Sequence, residues 1–242
     1  MFDLLRTRLG QGTPTAAVPA DEASFPERFR GRPVIRPDAR GRASIDLGAC
    51  TFSPEEAGPE SGIEYTRDYR MATRTREALV TSGEELELAT ALDAKMRKLL
   101  GRSLRLRSVV AGSCNGCEME LVASGNVVFD LARFGVQFVA SPRHADGIVI
   151  TGAVNVNMRA ALERTYAAVP DPRIVIAVGA CAASGGPFGE SEEAGCGAPP
   201  EIPVDLWIPG CPPHPLTILD GMLRLLGRIE GTRPFGSGET PD

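Results

Sequence analysis

No stretch of the 242-residue chain approaches the roughly 18 uninterrupted apolar residues of a membrane-spanning helix, and the first residues lack the charged, apolar and cleavable layout of an export signal. A cytoplasmic protein is expected. Positive charge is not in excess: the formal net charge is −5, which argues against a protein that grips nucleic acid through many Lys and Arg contacts to phosphate. Phosphate-binding loops and nicotinamide fingerprints are missing, so no nucleotide is expected. Export-type chemistry being absent, the six cysteines read as ligands or thiols rather than disulfides. What remains is a soluble globular chain, 43% hydrophobic and long enough to bury a sizeable core.

The chain divides by composition. Residues 1–24 form a tail and linker: Phe2, Leu4, Leu5 and Leu9 among two arginines suit one or two helical turns with an apolar side for docking on a partner subunit or a membrane surface, and Gly10 to Ala23 reads as linker. Residues 25–80, rich in Pro, Gly, Arg and Glu, make a small loop-rich module with strand-like pieces at Ser44 to Leu47 and Ile63 to Thr66. A module with so little core usually needs a metal or disulfide, yet it holds only Cys50. In residues 81–103, Ser82-Gly83-Glu84-Glu85 is a capping box, and Leu88, Leu92, Met96 and Leu99 then recur on one face of a connecting helix that runs to about Leu100. Residues 231–242 are a C-terminal tail.

Residues 104–230 carry the main pattern. Strands are expected at Leu104 to Ala111, Val136 to Ala140, Gly147 to Thr151, Arg173 to Gly179 and Leu206 to Ile208. Helices are expected over Glu118 to Arg133, along the stripe Met158, Leu162, Tyr166 and Val169, and from Pro215 onward, with Leu216, Leu219, Met222, Leu223 and Leu226 buried. Strands alternating with helices predict an α/β domain, a mostly parallel flavodoxin-like sheet flanked by helices.

The cysteines acquire meaning on that frame. Cys114-Asn115-Gly116-Cys117 alone fits zinc, a dithiol or an iron-sulfur cluster. In open α/β sheets, however, sites form beyond the carboxyl ends of the strands. Cys114 and Cys117 follow the strand ending at Ala111, Cys181 follows the one ending at Gly179, and Cys211 follows the one ending near Ile208, so four thiolates converge on one sheet edge. Such a set suits a [4Fe-4S] cluster or a Cys₄ zinc site. Gly112, Gly116, Gly179 and Gly210 let backbone N–H groups approach inorganic sulfide, and structural zinc sites more often pair two Cys-x-x-Cys knuckles where this chain has one. Both features favour the cluster.

Two resemblances follow. Phe25 to Ile35, Ile45 to Phe52 and Ile63 to Tyr69 are similar to a two-cluster ferredoxin domain stripped of its cysteines: Ser53 and Glu56 stand where ligands would follow Cys50, which implies a degenerate module unable to hold two clusters. Gly112-Ser113-Cys114-Asn115-Gly116-Cys117-Glu118-Met119-Glu120, Thr151-Gly152-Ala153-Val154, Val178-Gly179-Ala180-Cys181-Ala182 and Ile208-Pro209-Gly210-Cys211-Pro212-Pro213 resemble the small-subunit family shared by complex I and the membrane-bound [NiFe] hydrogenases. Complex I is typified by adjacent cysteines at the first site, whereas the Cys-x-x-Cys here is similar to energy-converting hydrogenases and formate hydrogenlyase. A twin-arginine signal is absent, in line with a cytoplasmic face.

The second resemblance implies a subunit of an oxidoreductase complex carrying one [4Fe-4S] cluster on Cys114, Cys117, Cys181 and Cys211. Any nickel-iron centre would lie in a hydrogenase-like or complex I-like large subunit. Further implied partners are a ferredoxin-like electron-carrying subunit and membrane subunits that hold the chain peripherally at the cytoplasmic face. Glu120 matches an acidic position near the partner interface, where it either relays protons or simply favours the first helical turn. The alternatives are a complex I-type subunit delivering electrons to quinone, a thioredoxin-like dithiol protein using Cys114 and Cys117 alone, and a cofactor-less scaffold. Of the other candidates, His214 either hydrogen-bonds a cluster sulfide or, the favoured reading, faces solvent. His144 is expected in a surface loop, Cys196 as a spare thiol in a flexible Gly-rich loop, and Cys50 as a relic.

Overall fold

The computed structural model describes residues 2–18, 25–35, 44–58, 61–81, 86–100 and 103–229; the Ser82–Glu85 capping box and the C-terminal tail lie outside them. Helix α1 (Phe2–Gln11) buries none of its residues, leaving Phe2 84% and Leu9 83% exposed. The stretch after it is no free linker where it is described. Ala16 N–H donates to Val128 O at 2.7 Å, Thr15 Oγ1 to Val127 O at 3.2 Å and Arg133 Nη2 to Ala16 O at 2.8 Å, while Val18 packs on the main core.

The N-terminal module consists of two antiparallel pairs. Strand β1 (Pro33–Ile35) and β3 (Ile63–Tyr65) form one, β2 (Ile45–Asp46) and β4 (Val80–Thr81) the other. A small core of Ile45, Leu47, Phe52, Ile63, Met71 and Leu79 fills it and reaches Ala183 and Trp207 of the main domain. Docking is reinforced by backbone: Thr73 and Trp207 exchange N–H···O bonds of 3.0 and 2.9 Å, an antiparallel bridge on the edge of the large sheet.

The expected long connecting helix is corrected. Helix α2 spans only Ala94–Leu100, capped by Asp93, whose Oδ1 accepts the N–H groups of Lys95 and Met96. Leu88 and Leu92 precede it outside any helix, because Ala89 N–H bonds to Ala72 O at 2.7 Å and Leu92 N–H to Leu225 O at 2.9 Å. Non-local partners for these backbone groups outcompete the helix. Leu99 is 56% exposed, and Leu100 is the buried residue.

The main domain follows the predicted alternation: β5 (Leu104–Val110), α3 (Gly116–Ala123), β6 (Val136–Phe138), β7 (Gly147–Thr151), α4 (Val156–Ala168), β8 (Ile174–Val178), α5 (Ala180–Ser184), β9 (Leu206–Ile208) and α6 (Pro215–Leu225). All five strands run parallel in the order β6-β5-β7-β8-β9, the flavodoxin-like order of an open α/β sheet. Every residue of β7 and β8 is buried, as continuous apolar runs between helical layers should be. Alternate residues face opposite cores: Val149, Ile174 and Ile176 pack with α3 and α6, and Ile148, Ile150 and Val175 pack with α4. Truncating one of these central side chains to alanine costs about 2–5 kcal/mol.

Helix α3 is shorter than expected. It stops at Ala123; Ser124 turns its hydroxyl back on Glu120 O, and Gly125 and Asn126 form the following turn. Helix α6 is buried along its whole length, which forces Arg224 and Asp220 into an internal ion pair of 2.8 Å.

Candidate functional site

Register builds the site. Val110 pairs with Thr151, Thr151 with Val178, and Val178 with Ile208, so four strands end at one level. Each then turns through a residue with positive φ: Gly112 at 88°, Gly152 at 86°, Gly179 at 92° and Gly210 at 145°. Only glycine adopts these values without strain. Their turns also interlock. Gly179 and Ala180 donate to Ile208 O and Gly210 O at 2.8 Å each, and Asn155 donates to Ala111 O at 3.2 Å.

Cys114, Cys117, Cys181 and Cys211 follow three of these turns, at the same end of the sheet. Burial raises the thiol pKa of Cys117, Cys181 and Cys211 above the usual value, and mutual repulsion adds to it: Cys117 feels Cys181, Cys211 and Cys114, Cys181 feels Cys211 and Cys114, and Cys211 feels Cys114. Cys117, Cys181 and Cys211 therefore resist ionisation until a cation offsets the gathered charge. The space around the sulfurs is kept clear by glycine. A Cβ on Gly179 would collide with Cys117 Sγ, and one on Gly186 would stand 2.9 Å from Cys181 Sγ. Four thiols gathered at one end of the sheet, with glycines beside two of them, suit the donor set of an iron-sulfur cluster, which takes one thiolate on each iron. Among the described residues no group of three His, Cys, Asp or Glu is arranged to hold a single metal ion.

Charged neighbours surround this basin. Glu118 raises the Cys117 and Cys181 thiols, and Glu56 of the N-terminal module raises Cys211. Beside exposed Cys114 lies an open cleft of about 540 Å³ lined by Gly112, Ser113, Asn155, Phe188 and Glu193. Asn155 caps α4 through Oδ1, which accepts Met158 N–H at 3.0 Å.

The remaining candidates sort differently. Glu120 is half-buried on α3, and burial raises its carboxyl pKa. His214 does not face solvent as expected: it is the N-cap of α6, with Nδ1 accepting Leu216 N–H at 3.2 Å. Its ring is enclosed by Phe25, Phe29 and Phe129, with centroids 5.5, 5.3 and 5.5 Å away. Burial there lowers its pKa to about 4. His144 is exposed, as expected. Cys196 is exposed in a loop anchored by Gly197 N–H to Ala153 O at 3.0 Å, with its thiol toward Gly189 O at 3.5 Å.

Cys50 belongs to a site that sequence reasoning missed. Its thiol donates to Glu56 Oε2 at 3.0 Å, Tyr65 OH donates to the same oxygen at 3.4 Å, and the hydroxyl and N–H of Thr51 donate to Oε1. These donors hold the Glu56 carboxyl pKa below its usual value, whereas burial and the carboxylate push the Cys50 thiol up to about 12. Ser53 caps the turn holding Glu56, its Oγ accepting Glu55 N–H at 3.3 Å. The visible signal was Thr51 and Glu56 beside a lone cysteine. Ser113 and Glu118 stood in the motif around Cys114 and Cys117 without a role, and Asn155, directly after Thr151-Gly152-Ala153-Val154, was missed.

An open parallel α/β sheet with a four-cysteine basin at its strand ends defines the class of protein. Residues 114–225 match the family model described as NADH ubiquinone oxidoreductase, 20 Kd subunit. Three relatives are similar. The probable membrane-bound hydrogenase subunit mbhJ of Pyrococcus furiosus is 40% identical over 164 residues, 66% of this chain and 98% of that one. Formate hydrogenlyase subunit 7 of Escherichia coli is 42% identical over 144 residues, 60% and 56% of the two chains. A subunit of the NADH-quinone oxidoreductase of Heliobacterium modesticaldum is 42% identical over 151 residues, 62% and 84%. The chain belongs to the family of the 20 Kd subunit of NADH ubiquinone oxidoreductase, a family of oxidoreductase-complex subunits.

Proposed function

We propose that the chain is the electron-transfer subunit of a membrane-associated [NiFe] hydrogenase-like complex, relaying electrons to or from a catalytic large subunit that reduces protons or oxidises hydrogen. The observation that carries this reading is the register that brings the turns bearing Cys114, Cys117, Cys181 and Cys211 to one end of the parallel sheet, in a family member whose first two sulfurs are spaced Cys-x-x-Cys. These four cysteines would hold one [4Fe-4S] cluster, which supplies one-electron storage when bound. Their glycine-lined turns exclude side chains from the sulfurs, and burial of Cys117 and Cys181 shields that side from water. Glu120, its carboxyl raised by burial, is assigned a proton relay toward the large subunit.

Partners of the same complex would be the large subunit, a ferredoxin-like electron carrier and membrane subunits. Among the described residues no helix is long and apolar enough to cross a membrane, so attachment at the cytoplasmic face is assigned to those partners. The Phe25–Val80 module, its one cysteine engaged by Glu56, serves to hold partners together rather than to carry electrons.

Anaerobically purified protein is expected to contain about four irons per chain, to give an EPR signal on reduction, and to lose both when Cys181 is replaced by Ser. A stable iron-free fold carrying zinc overturns the assignment. Full activity after loss of Cys181 or Cys211 would instead indicate a dithiol protein. The similarity to the NADH-quinone oxidoreductase subunit of Heliobacterium modesticaldum supports a second reading, delivery of electrons to quinone. Hydrogen-dependent dye reduction by the assembled complex separates the two.

A further inference from the structure

Ser113 and Glu118 bracket the Cys-x-x-Cys turn. The Ser113 hydroxyl donates to Glu118 Oε2 at 2.8 Å and accepts Asn115 N–H at 3.2 Å, closing the turn that carries Cys114 with a carboxylate. The other oxygen of that carboxylate, Oε1, is buried and has no hydrogen-bond partner. Among the described residues Glu118 forms no ion pair with a basic side chain. The contrast with Glu56, which collects donors from Cys50, Thr51 and Tyr65, is direct. A buried carboxylate oxygen without a donor is costly, and the fold could relieve that cost with one nearby amide or hydroxyl.

We infer that Glu118 is a positioning residue of another kind: a carboxylate fixed by Ser113 beside the four sulfurs so that its unscreened charge keeps the reduction potential of the bound cluster low. The inference rests on the reading of the four cysteines as cluster ligands. An electron added to the cluster adds negative charge, and a carboxylate held against it in a medium of low dielectric makes that addition less favourable. Glu118 directly follows Cys117, and its bond to Ser113 holds the carboxylate against the turn that carries Cys114. Its role is electrostatic, and Ser113 supplies the geometry: without that hydroxyl the carboxylate is free to swing toward water, where its charge is screened. A strongly reducing relay is what a partner that hands electrons to protons requires.

The test is an EPR-monitored redox titration of the full-length protein carrying its cluster, under argon, for the natural chain, Glu118→Gln, Glu118→Asp and Ser113→Ala. Glu118→Gln is expected to keep its iron and titrate at a higher midpoint potential, Ser113→Ala to shift upward by less, and Glu118→Asp to stay near the natural value. An unchanged midpoint in Glu118→Gln with iron content intact overturns the inference while leaving the cluster assignment standing. Should Glu118→Gln lose its iron, Ser113→Ala decides: an upward shift supports the charge effect, and an unmoved midpoint overturns it. Absence of iron from the natural chain overturns the cluster reading itself, and the inference with it.

Discussion

Arg76 Nε donates to the carbonyl of Ala183 at 2.9 Å, two residues beyond Cys181. The same guanidinium grips both carboxylate oxygens of Asp46 at 2.8 and 2.7 Å, and nearby Ser184 Oγ donates to Gly48 O at 2.9 Å. One side chain therefore ties the N-terminal module to the helix that presents a sulfur. Arg76→Ala is expected to lower stability by about 2 kcal/mol, since charge-assisted bonds are lost and Asp46 is left unpaired. Urea unfolding reads this directly. Arg76→Lys should recover little, because an ammonium cannot fork across a carboxylate while also reaching Ala183; full recovery would contradict the geometry.

Gly179 is expected to tolerate no side chain. Its φ of 92° is strained for any other residue, and a Cβ there meets Cys117 Sγ. Gly179→Ala should bind less iron and melt earlier than the natural chain. Gly125→Ala, whose Cβ finds only Val122 O at 3.4 Å, should match it in both measurements.

His214 makes stability depend on acid. Its pKa falls from the ordinary 6.5 to about 4 in the fold, so between these values the unfolded chain binds the extra proton and stability rises with pH. The contribution is fully present above pH 6.5 and is lost as pH falls toward 4. It amounts to about 2 kcal/mol once partial exposure is allowed for. Denaturant midpoints measured across that window should slope for the natural chain and flatten for His214→Asn, which keeps a capping acceptor.

The two cysteines outside the basin should differ in reactivity. With its thiol pushed up to about 12 and pointed at Glu56, Cys50 has almost no thiolate at pH 8, whereas Cys196 is exposed. Iodoacetamide followed by mass spectrometry is expected to label Cys196 and spare Cys50 until the protein is unfolded. Rapid labelling of Cys50 in the native state would refute the Glu56 contact.

Much of the sheet was legible because β7 and β8 are apolar on both faces, a pattern that only a strand between two helical layers needs. That the turns bearing the cysteines share one end of the sheet was legible for the same reason: parallel strands in register put every following turn there. Less could be read where remote backbone decides local shape. Residues 86–92 look helical by spacing, yet Ala72 and Leu225 claim the N–H groups of Ala89 and Leu92. His214 gave no hint of its enclosure, since Phe25, Phe29 and Phe129 come from distant parts of the chain. Glu56 and Glu118 could be seen in the sequence but not their roles, because a carboxylate's meaning lies in which donors face it.

Cys114 is the one exposed residue among the four, with Cys117 and Cys181 buried and Cys211 intermediate. Electron tunnelling weakens steeply with distance, so with the proposed cluster in place a redox partner has to touch the molecule at this rim. Dissolved oxygen would reach the proposed cluster at the same rim. Bleaching in air thereby becomes a gauge of assembly: the subunit alone should lose its brown colour within the time that the intact complex, with the Cys114 edge covered, retains it.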